Sequence, residues 1–264
     1  MMTKRHFVIS TILFVSVFAV VGMGSLQYRI VRTYEDIAFA ISPTAELAFA
    51  FGERHFSAHD TDLYDIARAE YFFGKAADID STIPYLHHEL ARIAFLKGDF
   101  ETAMALIDYQ IQRTGDAEPS SYYIRALIEG YKGEYAASAR DYEYFLRFRP
   151  TNWAATNDYA WVLLKAGRAT EAAKATARAL EWFPENPWLL NTNATALYEM
   201  KEYAAALQAA QKASVAVAKL SQDDWLRAYP GNDPRIADEG IESFKKAIQD
   251  NIHSIRERAA SSAI

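Results

Sequence analysis

Residues 159–168 read Tyr-Ala-Trp-Val-Leu-Leu-Lys-Ala-Gly-Arg, and this stretch decides the fold. Its apolar residues recur at helical spacing, and the pattern stops at Gly167. Glycine closes a helix readily because it enters the left-handed backbone conformation without a steric penalty. A second helical pattern starts near Glu171 and ends before Pro184. The stretch therefore predicts two antiparallel helices joined by a tight turn.

The same unit recurs with a period of 34 or 35 residues. The turns stand at Gly98, Gly133, Gly167 and Lys201, and an alanine lies seven residues before each turn, at Ala91, Ala126, Ala160 and Ala194. A small residue lies five residues after each turn, at Ala103, Ser138, Ala172 and Ala206, and the units begin at Pro84, Pro119, Trp153 and Pro187. Small side chains at matched points let two helices pack closely. The pattern predicts an all-α protein.

This helix–turn–helix unit resembles the tetratricopeptide repeat (TPR) family, whose repeat has 34 residues. The resemblance implies a right-handed TPR-like α-solenoid. In this solenoid we expect a divergent unit over 44–81 and further units over 84–115, 119–150, 153–186 and 187–220. The divergent unit has a long turn at Ser57–Asp62, and the last unit has Lys201 and Ala218 where the family has glycine and proline.

Residues 221–264 predict a turn followed by a capping helix. The segment Tyr229–Pro234 is rich in turn-forming residues. One face of the following helical pattern carries Ile236, Ile241, Phe244, Ile248, Ile252 and Ile255. A stack of repeats needs a polar-faced terminal element to cover its exposed end, which favours a cap. The alternative is a helix that binds a membrane surface or a partner.

Residues 7–26 form a run of 20 positions without a charged side chain. A helix of that length spans roughly 30 Å, the thickness of a bilayer's hydrocarbon core. Its Phe, Val, Ile and Leu side chains favour insertion by roughly 4–7 kcal/mol. The run predicts a transmembrane signal-anchor between a stub at 1–6 and a juxtamembrane linker or helix at 27–43. The alternatives are a cleaved signal with a cut before Ser25, and a buried core helix.

The orientation of this predicted span depends on the basic residues at its two flanks. Lys4 and Arg5 precede it and Arg29 and Arg32 follow it, so the count is equal. The α-amino group tips the balance toward an N-terminus inside. We therefore expect a single-pass protein of the bacterial cytoplasmic (inner) membrane, with the repeats on the exported side.

The composition excludes several classes of function. From Glu35 onward the chain has ten more acidic than basic side chains, which disfavours nucleic-acid binding because phosphates are repelled. There is no cysteine, which rules out thiolate metal sites and cysteine nucleophiles. No phosphate-binding glycine motif or nucleophile elbow is present. We expect no cofactor, no metal site and no enzymatic activity.

The resemblance to the TPR family also implies a binding site. Family members typically bind extended peptides in a concave groove lined by the first helices of successive units. Carried over by alignment, this partner-binding groove consists of Arg92, Tyr123, Leu127, Asn157, Trp161, Lys165, Trp188, Asn191 and Tyr198, flanked by Tyr85, His88, Glu89, Tyr131, Asp158, Thr192 and Thr195. The alternative is that the aromatic side chains only fill space between repeats. The basic clamp with which some members hold a carboxylate is not recognisable.

Three other patterns favour structural roles. His87 and His88 are adjacent on a helix, so their side chains point about 100° apart and do not easily share one ion. His55 and His59 are at i, i+4 spacing, but a loop is predicted between them, and Asp60 and Asp62 nearby make only a weak cation site. Arg125 and Glu129, four residues apart on one helix, predict an ion pair.

Taken together, these features predict a membrane-anchored scaffold that binds a protein or peptide partner through its repeats and the bilayer through residues 7–26. The alternatives are an envelope enzyme accessory or glycan- or peptide-binding protein, and a secreted TPR protein after signal cleavage.

Overall fold

The structure is a computed structural model that describes residues 26–229 and 231–262. Over those residues it contains helices and turns and no β-strand, so the predicted all-helical fold class is confirmed. The chain divides into two compact units, one ending at Leu86 and the other beginning at His87.

The first unit contains three described helices. They are α1 (26–41), α2 (Ala45–Phe56) and α3 (Ile66–Ile79). Thr44 caps the start of α2 and Asp65 caps the start of α3, because each side chain accepts a hydrogen bond from a backbone N–H in the first turn. The pair α2–α3 is joined by the long turn seen in the sequence.

A buried charge network holds α1 against the α2–α3 pair. The carboxylate of Glu35 on α1 is fully buried and lies 2.7 Å from Nε2 of His55. The guanidinium of Arg54 donates to its other oxygen at 3.1 Å. The second nitrogen of His55 donates to the carbonyl of Leu63 at 2.8 Å. Both nitrogens of His55 are therefore engaged, and the ring is not a ligand paired with His59.

The second unit contains four helix pairs and a C-terminal segment. The pairs are α4 (Leu86–Leu96, whose first residue closes the first unit) with α5 (Phe100–Thr114), α6 (Ser120–Lys132) with α7 (Tyr135–Phe148), α8 (Trp153–Lys165) with α9 (Ala169–Trp182), and α10 (Pro187–Glu199) with α11 (Tyr203–Val217). Proline or asparagine stands at the start of three of these pairs, at Pro119, Asn152 and Asn186.

The repeated small residues occupy equivalent buried positions. Ala91, Ala126, Ala160 and Ala194 on the first helices are each 0% exposed, as are Ala103, Ser138, Ala172 and Ala206 on the second helices. A methyl or hydroxymethyl group at a helix crossing lets the two backbones approach closely. The hydroxyl of Ser138 also donates to the carbonyl of Ala126 at 2.6 Å. This confirms that the period of the sequence is the period of the packing.

The turns between paired helices share one backbone conformation. Gly98, Gly133 and Gly167 have φ of 77°, 84° and 73°, in the left-handed region. Lys201 has φ of 64° at the equivalent place. The fourth turn therefore keeps the geometry of the others although its residue has a Cβ.

The C-terminal segment covers the last pair of helices. It consists of α12 (Gln222–Ala228), a short 3₁₀ turn (Pro234–Ile236) and α13 (Ala237–Ser262). Ile248, Ile252 and Ile255 of α13 are buried in one cluster with the alanines of α11. Ile241 is also buried, but Ile236 belongs to the 3₁₀ turn and is 44% exposed, so it does not share the buried face.

Within residues 26–229 and 231–262, no helix is both long and apolar enough to cross a bilayer. Apart from Leu26, the predicted transmembrane segment 7–26 lies outside the described residues, as does the predicted stub 1–6.

The strained turn gives a stability prediction. Replacing Lys201 with glycine is expected to raise the free energy of unfolding by about 0.5–1 kcal/mol, because the left-handed strain of about 1–2 kcal/mol is relieved and glycine's greater freedom in the unfolded chain offsets part of the gain. The reverse variant, Gly167→Lys, is expected to lower the free energy of unfolding by a similar amount. A side chain at position 167 would meet no neighbouring atom, so only the positive φ is unfavourable. Urea unfolding measures both. A less stable Lys201→Gly variant would contradict the assignment of strain.

Candidate binding groove

A groove of about 500 Å³ lies on the second unit, between the first helices of three successive repeats and the C-terminal segment. Its lining includes His88, Arg92 and Phe95 from α4, Tyr123, Leu127 and Tyr131 from α6, Asn157, Asp158 and Trp161 from α8, and Ala228, Tyr229 and Asn232 from the end of α12 and the turn after it. The repeat explains this assembly. Positions 92, 127 and 161 are one period apart, as are 88, 123 and 157, so each first helix turns the same face to the groove.

One side of the groove is an aromatic wall formed by Phe95, Tyr131 and Trp161. The rings of Phe95 and Tyr131 lie edge to face with their centroids 5.1 Å apart, and Tyr131 and Trp161 are 6.2 Å apart. Tyr131 is 63% exposed and Trp161 is 38% exposed. These rings therefore contact each other and still offer apolar surface to a ligand.

The floor of the groove carries the carboxylate of Asp158. The phenol of Tyr123 donates to Oδ2 at 2.8 Å, and the amide nitrogen of Asn157 lies 3.5 Å from Oδ1. Burial raises the pKa of Asp158 to about 6 and raises the pKa of Tyr123 well above its usual value. The amide oxygen of Asn157 accepts from the hydroxyl of Thr192 at 2.8 Å, which fixes the orientation of the amide.

The α4 side of the groove has little net charge. Burial lowers the pKa of His88 to about 3, so its ring is neutral at physiological pH, and Nδ1 lies 3.2 Å from the hydroxyl of Ser121. Arg92 donates to the carboxylate of Glu89 at 2.6 Å. Since Glu89 offsets Arg92, the charge of Asp158 dominates the groove when that carboxyl is ionised.

The remaining wall comes from the C-terminal segment, and the repeat pattern does not predict it. The hydroxyl of Tyr229 accepts from the indole N–H of Trp188 at 3.1 Å, and the rings of Tyr229 and Trp225 are 4.3 Å apart. Trp225 in turn packs on Gly240 of α13, where an added Cβ would collide with the indole. In the sequence, this part of the groove is marked by the aromatic and turn-forming residues at 225–234, which do not recur with the repeat.

Five of the nine residues of the predicted groove line the observed one: Arg92, Tyr123, Leu127, Asn157 and Trp161. Lys165 lies at its margin, with Nζ 5.6 Å from the centre of the Trp161 ring.

The three predicted groove residues on α10 are placed elsewhere. Trp188 is buried between Trp153 and Phe244, with centroids 5.2 and 5.4 Å away. Asn191 accepts from the amide of Asn251 on α13 at 2.9 Å. Tyr198 packs against Tyr203, with centroids 5.8 Å apart. The C-terminal segment covers this end of the predicted surface.

The predicted pair of Arg125 with Glu129 is wrong. Arg125 instead binds both carboxylate oxygens of Asp141, at 2.5 and 3.0 Å, and Asp108 at 3.0 Å. Oε2 of Glu129 is buried and has no hydrogen-bond partner in the described part of the chain. Burial, and then the charge of Asp141, raise the pKa of Glu129 to about 7. Arg125 therefore pairs with a carboxylate on the adjacent helix α7 and not with Glu129 on its own helix.

The adjacent histidines also separate. The ring of His87 packs on Tyr109 at 4.4 Å, whereas His88 faces the groove. Among the residues that the structure describes, no three His, Asp or Glu side chains converge as a metal site would require.

The comparisons with known proteins agree with this architecture. The tetratricopeptide repeat family model matches residues 163–222. A crystal structure of MamA has a TM-score of 0.55 at 14% identity, over 66% of this chain and 92% of that one. YrrB, described as a TPR protein with an unusual peptide-binding site, has a TM-score of 0.55 at 14% identity, over 78% of this chain and 97% of that one. A mutant form of MamA has a TM-score of 0.54 at 14% identity, over 65% of this chain and 96% of that one.

No curated protein matches the chain in sequence. At such low identity the structural likeness shows the fold alone. The family match over residues 163–222 and the fold shared with these structures together show a TPR-like helical repeat architecture.

Proposed function

We propose that the groove on the second unit binds an extended segment of a protein partner, and that the chain is a scaffold without catalytic activity of its own. The observation that carries the proposal is the exposed aromatic wall beside fixed polar groups. Trp161 and Tyr131 offer ring faces, while Asn157 and Asp158 offer hydrogen-bonding groups on the adjacent floor. Tryptophan and tyrosine side chains are enriched among the residues that anchor protein interfaces.

The dimensions of the groove fit such a ligand. A volume of about 500 Å³ lies within the range of sites that enclose a small ligand or a few side chains. The lining comes from three successive repeats, so a bound segment would cross the helices and contact each of them. YrrB, which shares the fold, is described as having a peptide-binding site.

We further propose that residues 7–26 tether this scaffold to the bacterial cytoplasmic membrane, with the repeats on the exported side. The support is the uncharged run in the sequence, which ends at Leu26, the first described residue of α1. Helix α1 exposes a stripe of large apolar side chains on one face: Leu26, Ile30, Tyr34, Ile37 and Ile41. An exposed apolar face directly after the proposed transmembrane segment is what we expect of a helix that continues from that segment at the membrane surface.

The groove proposal predicts the effect of removing one ring. Peptides selected by panning a random library against the full-length chain in nanodiscs are expected to bind Trp161→Ala about 10–30-fold more weakly, the loss typical of a central aromatic anchor. Fluorescence anisotropy with a labelled selected peptide measures the affinity. The matched control is Trp182→Ala, which removes an indole that is 67% exposed on α9, away from the groove.

Circular dichroism checks that both variants keep their helical content. Selected peptides that bind Trp161→Ala as tightly as the wild-type chain would contradict binding in this groove.

The tether proposal predicts that the full chain stays in the membrane pellet after alkaline carbonate extraction, whereas a chain that begins at residue 27 is soluble.

A C-terminal tag is expected to be degraded by protease added to spheroplasts but not to intact cells. A tag protected in spheroplasts would contradict the orientation. A mature N-terminus at Ser25 would show cleavage and contradict the anchor.

A further inference from the structure

We propose that the groove selects a partner segment with a cationic side chain, lysine or arginine, whose stem lies along Trp161 and Tyr131 and whose charged head reaches Asp158. This inference rests on the proposed function of the groove and names the chemistry of what it binds.

The first argument is the charge of the floor. Asp158 has two hydrogen-bonding neighbours, Tyr123 and Asn157, and both are neutral. No cation of the described residues forms an ion pair with its carboxylate. Arg92 lines the same groove but already binds Glu89 at 2.6 Å. A cationic ligand is the group that would complete this site, since a desolvated carboxylate is costly without an opposite charge.

The second argument is the aromatic wall above that floor. The faces of aromatic rings attract cations, and tryptophan does so most strongly. In this chain Nζ of Lys165 already lies 5.6 Å from the centre of the Trp161 ring, at the margin of the groove. The methylene stem of lysine or arginine packs on apolar surface while its head stays with polar groups. The wall and floor together therefore match both halves of such a side chain.

The third argument is that anionic and purely apolar side chains fit this site less well. An anionic side chain would meet Asp158 as a like charge. A purely apolar one would bury the carboxylate further and leave it without a counter-charge. The acidic surplus of the chain beyond residue 34 would attract a basic segment over a longer range.

The titration of Asp158 gives this proposal a pH signature. Burial raises its pKa to about 6 in the free groove, and a bound cation would lower that value. Affinity for a cationic segment is therefore full above pH 6 and falls as the pH drops through 6, where the free carboxyl takes up a proton. Tyr123, Tyr142 and Tyr229, which line the groove with Asp158, have raised pKa values, and His88 has a pKa of about 3, so these four groups do not titrate near pH 6.

The test uses one selected peptide from the panning experiment, synthesised with lysine, norleucine or glutamate at its central position. Norleucine keeps the stem of lysine without its charge. Binding is measured by anisotropy to the full-length chain in nanodiscs of zwitterionic lipid, so that the bilayer does not attract the cationic peptide. At pH 7.5 the lysine peptide is expected to bind at least about tenfold more tightly than the norleucine peptide, and the glutamate peptide most weakly. A tenfold ratio corresponds to about 1.4 kcal/mol.

The decisive variant is Asp158→Asn, which keeps the size and shape of the side chain and removes its charge. It is expected to reduce the lysine-to-norleucine ratio to near one and to abolish the loss of lysine binding between pH 7.5 and pH 5. The matched control is Glu181→Gln on α9, which removes the same charge from an exposed position and is expected to leave the ratio unchanged.

The outcomes separate this inference from the proposed function. Equal binding of all three peptides that is nevertheless lost in Trp161→Ala would overturn the cation preference and leave the groove intact. A preference that survives Asp158→Asn, or that falls equally in Glu181→Gln, would also overturn it. Binding that no groove variant affects, or a library that yields no binding peptide, would overturn both proposals.

Discussion

The structure of the second unit depends on the close approach of helices at eight small side chains. One small residue on each first helix and one on each second helix is completely buried. A larger side chain at such a crossing would have to displace a neighbouring helix that is itself packed on both sides. Close crossings fix the angle and the separation of each pair. Because the same contact recurs every 34 or 35 residues, every pair is built alike and stacks on the next in the same way.

The groove follows from this regular stacking. Residues one period apart, such as Arg92, Leu127 and Trp161, face the same side because their helices are equivalent. The repeat therefore needs only one suitable side chain per helix to build an extended site. The end of the groove is made differently, by Tyr229 on a segment that belongs to no repeat, and its position depends on the contact of Trp225 with Gly240.

The sequence predicts the features that recur with the period of the repeat, and it does not predict contacts between helices that are far apart in the chain. The paired helices and the glycine turns are periodic, so they follow from the sequence, and alignment of the repeats with the TPR family then assigns residues such as Tyr123 and Asn157 to the groove. The sequence does not predict that the C-terminal segment covers Trp188 and Asn191. The contact of α13 with α10 joins residues about 60 positions apart in the chain. The network around Glu35 and the partner of Arg125 also depend on contacts between different helices, which local spacing does not encode.

The most direct test of the role of the small residues is the stability of Ala160→Ile compared with Ala177→Ile. Both variants make the same change in helix propensity, but Ala160 is fully buried at a crossing and Ala177 is exposed on α9. In urea unfolding, Ala160→Ile is expected to lose about 1–3 kcal/mol of unfolding free energy through overpacking. Ala177→Ile is expected to stay within about 0.5 kcal/mol of the wild-type chain. Equal stabilities of the two variants would contradict the account.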